Sequence, residues 1–291
     1  MKAPNFKYVA PSTLDAAVEI LNDSEHQVQL LAGGQSLLPA LNMRLQAPDI
    51  LLDIKNLQSL YGIDFVGDSV VRVGSLTRHR DLEDSPIIAK SVPLLARAIK
   101  HVAHPAIRNR GTIGGSVALG DPAAELPACV VALDANIGVT GPAGERVIKA
   151  SDFYHGLFHN DLGVGEIITH FDFEIDKPGW YSGFDEITRR RGDFATVGLA
   201  ARINLVGDTI DNGKVIFFGV GEFPVSAKRT WESMVGQTLT KNLITASQHI
   251  LSEDIDPQGD IVASSHMRSR LANILFKRVM DDIIQQKEAS K

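Results

Sequence analysis

Cysteine is nearly absent from this chain, which has only Cys129 among its 291 residues. One thiol cannot form an intramolecular disulfide, and it cannot supply the several thiolates that hold an iron–sulfur cluster. No apolar run approaches the ~20 residues needed to span a bilayer. Residues 1–6 also lack the apolar segment of a signal peptide. These absences exclude a disulfide scaffold and predict a cytoplasmic protein without a transmembrane segment.

Basic residues are too few for a general nucleic-acid binder. The chain has 29 Lys and Arg against 35 Asp and Glu, a formal net charge of -6, and only Arg189–Arg191 is locally basic. Because binding to a phosphate backbone needs a basic face, we expect no nucleic-acid partner. The length and a hydrophobic content of 44% indicate a folded chain of two or three compact units.

Several common site signatures are also missing. The chain has no Gly-x-x-x-x-Gly-Lys-Ser/Thr loop, no Gly-x-Gly-x-x-Gly and no Gly-x-Ser-x-Gly elbow. Two histidine pairs have metal-like spacing, His155 with His159 and His101 with His104. Neither pair has the third ligand and nearby general base of a catalytic zinc site, so we interpret them as loop or surface histidines. No metal site is expected.

A glycine turn dominates the first fifty residues. The predicted elements around it are a helix beginning at the Ser12–Asp15 capping box, a strand, a second helix and a second strand, at residues 12–21, 28–32, 38–45 and 50–54. Gly33 and Gly34 allow positive φ and expose N–H groups to a bulky anion, and Ser36 is expected to cap the second helix. This order predicts an α/β unit with parallel strands over residues 1–56.

A second glycine-rich segment, residues 111–116, has similar chemistry. It follows a helix predicted at residues 93–99 and leads to Asp121, which is expected as the N-cap of a helix that runs to residue 133 with Pro122 as its first residue. One interpretation places the loop amides on a pyrophosphate and a carboxylate on sugar hydroxyls. The other treats both glycine segments as plain turns and Asp121 as a cap only. Two such loops favour two clamps on one elongated ligand that carries phosphate.

The remaining pattern divides the chain into two further units. Strands of the second unit, residues 57–177, are predicted at residues 69–73, 137–139 and 166–175, the last with apolar and polar residues alternating. Residues 177–179, Lys-Pro-Gly, mark the boundary. The third unit, residues 178–291, should hold three antiparallel strands and two helices, at residues 181–188, 194–206, 215–220, 243–251 and 262–286. A turn near Asn212–Gly213 is expected to join the last two strands.

Four short motifs follow one another along the chain. They are AGGQSLLP at residues 32–39, IRNRGTIGG at 107–115, DPAAE at 121–125 and RRGDFA at 190–195. Together they resemble the FAD-binding medium subunit of the molybdenum hydroxylases, the family of carbon monoxide dehydrogenase, xanthine dehydrogenase and the bacterial nicotine and quinoline dehydrogenases. The resemblance covers nearly the whole chain. It implies an α+β fold of two α/β subdomains of the PCMH/vanillyl-alcohol-oxidase type, followed by a three-stranded antiparallel sheet with a helical bundle.

The resemblance also implies which residues hold FAD. Contacts to the diphosphate and neighbouring atoms are implied for Ala32, Gly33, Gly34, Gln35, Ser36, Leu37, Gly111, Thr112, Gly114, Gly115 and Ser116. Asp121 and Glu125 are implied to lie near ribityl or ring polar groups, and Ile168 and Phe194 beside the isoalloxazine. No catalytic acid or base is implied. Ser116, Gly120 and Met267 depart from residues common in relatives, so the motifs do not identify the organic substrate.

The implied function is electron transfer within a heterotrimer. A molybdopterin-binding large subunit would oxidise the substrate, a [2Fe-2S] small subunit would carry the electrons, and FAD on this chain would deliver them to an external acceptor. A dimer of heterotrimers is expected. Two alternatives stay open: a stand-alone flavin-dependent oxidoreductase with its own substrate pocket, and a scaffold that keeps the fold without cofactor.

Overall fold

A computed structural model describes residues 2–290 and divides its strands among three main sheets and one small hairpin. The strands in chain order are β1 Lys7–Val9, β2 Val28–Leu31, β3 Ile50–Asp53, β4 Ile63–Val66, β5 Val70–Gly74, β6 Asn136–Gly141, β7 Gly144–Lys149, β8 Tyr154–Gly156, β9 His159–Asn160, β10 Ile167–Glu174, β11 Trp180–Ile187, β12 Val197–Val206, β13 Thr209–Phe218 and β14 Val225–Ser226. The helices are α1 Leu14–Leu21, α2 Leu37–Asn42, α3 His79–Asp84, α4 Pro86–Ser91, α5 Pro93–Ala98, α6 Pro105–Arg108, α7 Ile113–Leu119, α8 Glu125–Ala132, α9 Lys228–Met234, α10 Lys241–Ile250 and α11 Ser265–Ala289.

The first unit is a parallel sheet in the order β1-β3-β2. The predicted parallel arrangement is confirmed, and the short edge strand β1 is an addition that the sequence pattern did not reveal. All four residues of β3 are buried, as a central strand requires. Helix α1 is capped by Thr13, whose hydroxyl accepts from the Ala16 amide, so the expectation of a cap at Ser12 was wrong by one residue.

The second unit is a five-stranded antiparallel sheet in the order β4-β5-β10-β6-β7. Alternation along β10 places Phe171 and Phe173 in the core, as predicted. Helix α8, predicted from its alanine and valine content, is buried along nearly its whole length. The sheet and helices α4, α5, α7 and α8 share one hydrophobic core, so the unit holds its loops on a rigid base.

The third unit is an antiparallel sheet in the order β11-β12-β13-β14, packed on the long helix α11. The three predicted strands are confirmed, and the two-residue strand β14 extends their edge. The turn predicted near Asn212–Gly213 was wrong. Gly207, with φ 64°, turns the chain into β13, and Gly213 pairs with Ile203 inside the sheet beside a register shift. Gly213 fits there because a Cβ would lie 2.2 Å from the Arg202 carbonyl oxygen.

The predicted C-terminal helices correspond to α10 and α11, whereas α9 had no clear sequence signal. Within residues 2–290, no helix combines the length and the apolar character needed to cross a bilayer. The unit boundaries after residues 56 and 177 stay a prediction.

Candidate FAD-binding site

The two glycine segments meet in the fold. A Cβ on Gly33 would lie 2.4 Å from the Arg110 carbonyl oxygen and 2.8 Å from the Gly111 Cα, and one on Gly115 would lie 3.8 Å from the Ala32 Cβ. Cβ atoms essentially never come within 3.0 Å of a heavy atom outside their own and the adjacent residues. Glycine at position 33 therefore lets the first unit approach the second unit backbone to backbone, as the two-clamp interpretation requires.

The first glycine segment leaves its amides free. Within the described chain, no hydrogen bond is made by the N–H groups of Gly33, Gly34, Gln35 or Ser36. Gly34 has φ 73°, and the Gln35 side-chain amide donates to the Gly33 carbonyl at 3.0 Å, which orders the turn. Leu37 begins α2 and packs on the core of the first unit. Four successive unpaired N–H groups are the donor set that a diphosphate accepts from.

The Ser36 hydroxyl does not cap α2. Ser36 occupies the N-cap position, but its backbone is already helical, with φ -101° and ψ -43°, and its side chain accepts no hydrogen bond there. An N-cap side chain needs an extended backbone to reach back to the following amides, so this expectation was wrong. The hydroxyl stays available for another partner.

The second glycine segment is the start of a helix rather than an open loop. Thr112 caps α7, and its hydroxyl accepts from the Gly115 amide at 3.2 Å. The amides of Ile113, Gly114 and Ser116 donate to the backbone carbonyls of Thr77, Ser75 and Thr112, at 3.1, 2.8 and 3.1 Å respectively. These N–H groups are therefore already hydrogen-bonded within the protein. Of the two segments, only the first offers a run of free amides.

Buried side chains that sequence reasoning missed support the second segment. His79 begins α3, and a Cβ on Gly111 would lie 2.9 Å from its ring, so the histidine packs directly under the segment. Burial lowers the pKa of His79 to about 4, which keeps the ring neutral. Arg108 is buried beside it, ion-paired with Glu83 at 2.9 Å and donating to the carbonyls of Val102 and Ala103. Arg108 lies in the motif at residues 107–115, but no local pattern there or around His79 indicates that these side chains are buried.

Asp121 and Glu125 lie where the second unit approaches the third. Helix α8 begins at Glu125, so the expectation that Asp121 caps it was wrong; Asp121 instead accepts from the Ala123 amide at 2.9 Å in a turn before the helix. Burial raises the pKa of Asp121. Burial, and after it the Glu186 carboxylate, raises the pKa of Glu125 to about 8. The Pro122 carbonyl accepts from the Gly219 amide at 2.7 Å and ties this turn to the third unit.

Glu186, near the end of β11, is a site residue that the sequence did not suggest. Its side chain is 5% exposed, and Oε1 lies 3.5 Å from Nδ1 of His101. Its second oxygen, Oε2, is buried and has no hydrogen-bond partner among the described residues. A buried carboxylate oxygen without a partner costs free energy, which points to a group that completes the site.

The segment between β11 and β12 carries the fourth motif. Phe194 is 65% exposed, whereas Ile168 on β10 is buried in the core of the second unit. Gly192, with φ 85°, packs against the ring of His104. Arg268 of α11 donates to the carbonyl of Thr196 and to that of Gly219 at 2.7 Å. The motif is thus anchored at its end while the Phe194 ring stays accessible.

The arrangement suits a dinucleotide better than a metal. Among the residues described, no group of three or more His, Cys, Asp or Glu side chains is placed to hold a metal ion. Free amides, close glycine packing and a carboxyl set at a junction between units offer separate contacts to phosphate and to a polar ring.

Two family models cover most of the chain. The model described as the FAD binding domain in molybdopterin dehydrogenase matches residues 4–173, and that of the CO dehydrogenase flavoprotein C-terminal domain matches residues 182–283. The chain belongs to the FAD-binding medium subunits of the molybdenum hydroxylase family. It is an oxidoreductase subunit of the molybdopterin-dependent dehydrogenase type, and its cofactor is FAD.

Individual relatives match this chain over nearly their whole lengths. The chain is 32% identical to the glyceraldehyde dehydrogenase medium chain of Sulfolobus acidocaldarius, over 97% of this chain and 100% of that protein. The structure is similar to carbon monoxide dehydrogenase from Hydrogenophaga pseudoflava, with a TM-score of 0.94, 32% identity and coverage of 98% and 99%. It is also similar to quinoline 2-oxidoreductase from Pseudomonas putida 86, with a TM-score of 0.92, 34% identity and the same coverage. The predicted family and fold are confirmed.

Proposed function

We propose that this medium subunit receives electrons from the iron–sulfur clusters of a partner and passes them through FAD to an external acceptor. The observation that carries the proposal is the run of free amides at residues 33–36, packed against the start of the second glycine segment at Gly111. When bound, FAD supplies the redox chemistry, accepting electrons singly or in pairs. The chain's own residues bind and orient it.

We assign the diphosphate to the first glycine segment. The amides of Gly33, Gly34, Gln35 and Ser36 would donate to it, with Ala32 and Leu37 supporting the turn from the core of the first unit. A helix-turn arrangement of this kind binds anions because consecutive N–H groups point at one oxygen cluster.

The second glycine segment would form the opposing wall. Since its amides from Ile113 to Ser116 are used internally, we assign its contacts to the hydroxyls of Thr112 and Ser116 and to the small surfaces of Gly111, Gly114 and Gly115. Asp121 and Glu125 would accept from ribityl or ring groups, and Ile168 and Phe194 would flank the isoalloxazine. The exposed Phe194 ring leaves one side of that region open to an acceptor.

The partners of this chain are proposed from its membership of the medium-subunit family, and its cysteine content agrees with them. Cys129, the only cysteine, is fully buried, so this chain has no thiolate set for an iron–sulfur cluster. From the family resemblance we propose a [2Fe-2S] small subunit and a molybdopterin-binding large subunit as partners, assembled with this chain as a dimer of heterotrimers in the cytoplasm. Relatives named as a nicotine 6-hydroxylase medium subunit and a 6-hydroxypseudooxynicotine dehydrogenase complex subunit are consistent with such an assembly.

The test begins with the purified chain and FAD. We expect about one FAD per chain, measured from the flavin absorption band after reconstitution, and reduction of that flavin only when a reduced iron–sulfur partner is supplied. A chain that shows no flavin band and takes up no FAD would refute the proposal. Proteins that co-purify with the chain should include an iron–sulfur subunit and a molybdenum subunit.

The two alternatives predict different results. A stand-alone flavin-dependent oxidoreductase would turn over an organic substrate with no partner present. A scaffold without cofactor would keep the activity of the assembled complex after Gly34 is replaced by a bulky residue, although Gly34 has φ 73° and a Cβ there would lie 3.0 Å from Leu38. We expect neither result.

A further inference from the structure

A small polar cleft lies between the sheet of the second unit and the sheet of the third. It has a volume of about 130 Å³, and its wall includes Ala132, the last residue of α8. Glu125, a residue of the candidate FAD site, begins the same helix, so the length of α8, about 10 Å, separates the two places. The cleft is therefore distinct from the candidate FAD site.

A buried guanidinium group reaches this cleft. The Arg202 side chain is 6% exposed, and its Nε donates to Oδ1 of Asp176 at 2.6 Å. The guanidinium carbon lies 3.9 Å from the centre of the Trp180 ring, which fixes the plane of the group. Among the described residues, Nη1 and Nη2 of Arg202 make no hydrogen bond. Buried N–H groups without a partner cost free energy, which points to a group that occupies the cleft.

Most of the charged side chains that line the cleft already form ion pairs. Asp172 of β10 is paired with Arg72 of β5 at 2.8 Å. Lys214 of β13 is paired with Asp134 at 2.6 Å, and this pair joins the second unit to the third. A ligand gains little from charges that are already neutralised, so the remaining charged groups decide which ligand fits.

Two charged groups in the lining form no ion pair with the residues described. They are Lys149 at the end of β7 and Glu174 at the end of β10, and both are exposed. Glu174 would repel a purely anionic ligand, and Lys149 together with the Arg202 guanidinium would repel a purely cationic one. The cleft is therefore complementary to a molecule that carries both charges.

The volume limits the size of such a molecule. A cavity of about 150 Å³ accommodates benzene, so the cleft admits a ligand of about six non-hydrogen atoms. We propose that it binds a small α-amino acid zwitterion such as alanine or glycine. The carboxylate accepts from Nη1 and Nη2 of Arg202 as a bidentate pair and from Lys149, and the ammonium group donates to Glu174. This site does not depend on FAD and goes beyond the proposed function.

A ligand in the cleft contacts both sheets. Lys149 and Glu174 belong to the sheet of the second unit, whereas Arg202 belongs to that of the third. Because the complete site exists only in the folded chain, bound ligand stabilises that state and should raise its Tm.

The first experiment titrates the full chain with L-alanine by calorimetry, with propionate, ethylamine and inorganic phosphate as comparison ligands. Propionate lacks the ammonium group of alanine, and ethylamine lacks its carboxylate. We expect about one alanine per chain, and affinities for propionate and ethylamine that are lower by about 10-fold or more, because each loses a charged hydrogen bond. No saturable binding of alanine up to about 20 mM would overturn the proposal, and so would equal or tighter binding of propionate or phosphate.

Variants of the two unpaired charges test the assignment without touching the buried ion pair. Lys149→Met and Glu174→Gln should each weaken alanine binding by about 10-fold, whereas the exposed control Lys100→Met should bind alanine as wild type does. Glu174→Gln should also bind propionate more tightly than wild type, because the repulsion of the carboxylate is removed, and a merely structural change would not produce this gain. Alanine affinities of both site variants equal to that of the control would refute the assignment.

A second measurement follows the wild-type chain directly. It has two tryptophans, Trp180 in the lining of the cleft and Trp231 packed on the core of the third unit. In ¹H–¹⁵N NMR spectra, alanine should shift the indole N–H signal of Trp180 and leave that of Trp231 in place, with Trp231→Phe used only to assign the signals. A shift of neither signal, or of Trp231 alone, would overturn the inference. Both experiments can be run with and without FAD, so their outcome is separate from whether the chain binds the flavin.

Discussion

Replacing Gly33 by alanine should separate the two glycine segments. The φ of Gly33 lies outside the left-handed region, so alanine can adopt its backbone conformation, and the cost comes from the added methyl alone. That methyl would lie 2.4 Å from the Arg110 carbonyl oxygen and 2.8 Å from the Gly111 Cα. Both are backbone atoms, which cannot rotate away as a flexible side chain does. Relief therefore requires one segment to shift.

The expected magnitude has two parts. Overpacking of a well-packed site costs typically about 1–3 kcal/mol, and a backbone clash belongs in the upper half of that range. With about 2–4 °C in Tm per kcal/mol, the chain should melt roughly 5–10 °C lower. Misplacing even one amide that donates to the diphosphate loses about 1.5–3 kcal/mol of binding free energy, which is a roughly 10- to 100-fold weaker affinity.

The assay compares Gly33→Ala with Gly156→Ala. Gly156 also has an ordinary φ, but a Cβ there would lie 3.6 Å from its nearest neighbour, an ordinary contact. Thermal unfolding of the apo chain and fluorescence titration with FAD measure the two effects separately. Gly156→Ala should match wild type in both. An unchanged Tm and an FAD affinity within twofold of wild type for Gly33→Ala would refute the close approach of the segments as the basis of the site.

Three further predictions concern buried charge and an exposed ring. The folded-state pKa of Glu125, about 8, lies above the unfolded value of 4.5, so its stabilising effect is complete below about pH 4.5 and is lost as pH rises through 8. In urea unfolding, the difference in unfolding free energy between wild type and Glu125→Gln should therefore change by up to about 1.4 kcal/mol per pH unit in this window. A difference that stays constant with pH would contradict this prediction. Arg202 and Asp176 form a 2.6 Å ion pair, and both side chains are less than a tenth exposed. Arg202→Met should lower the unfolding free energy in urea by about 3–5 kcal/mol, and adding Asp176→Leu should recover much of that loss. A single variant as stable as wild type would show that the pair is dispensable. Phe194→Ala should change the unfolding free energy by less than about 0.5 kcal/mol but alter the fluorescence of bound flavin. The exposed control Phe65→Ala should alter neither quantity. Identical flavin spectra for wild type and Phe194→Ala would remove Phe194 from the site.

Elements with strong local periodicity were predictable. Strand β10 alternates polar and apolar residues from His170 to Glu174, and α11 repeats its apolar positions over 25 residues, so neither needed tertiary information. Short elements were harder. Strand β1 has three residues and α9 seven, too few for a pattern to rise above chance, and both form because the larger elements beside them provide surfaces to pair with or pack on.

Two predictions made from local turn composition were wrong, because hydrogen-bond partners distant in the sequence determined the structure at both places. Asn212–Gly213 has the composition of a hairpin turn, but cross-strand pairing with Asn204 and Ile203 absorbs it into β13. Residues 111–116 read as a loop of free amides. The carbonyls that accept from Ile113 and Gly114 belong to Thr77 and Ser75, more than thirty residues earlier, and no local pattern encodes them.

The amino-acid sequence by itself determined the family and the cofactor class, because four ordered motifs resemble one family. It also located the two glycine segments, because glycine's freedom at φ and its missing Cβ act locally wherever the chain places them. Only the tertiary structure decided that the amides of residues 33–36 stay free while those of residues 113–116 are hydrogen-bonded within the protein. It also decided that the Glu186 carboxylate lies near enough to Glu125 to add to the rise of its pKa. Hydrogen-bond saturation and charge burial depend on atoms brought together from distant parts of the chain, and they are settled only when the units pack.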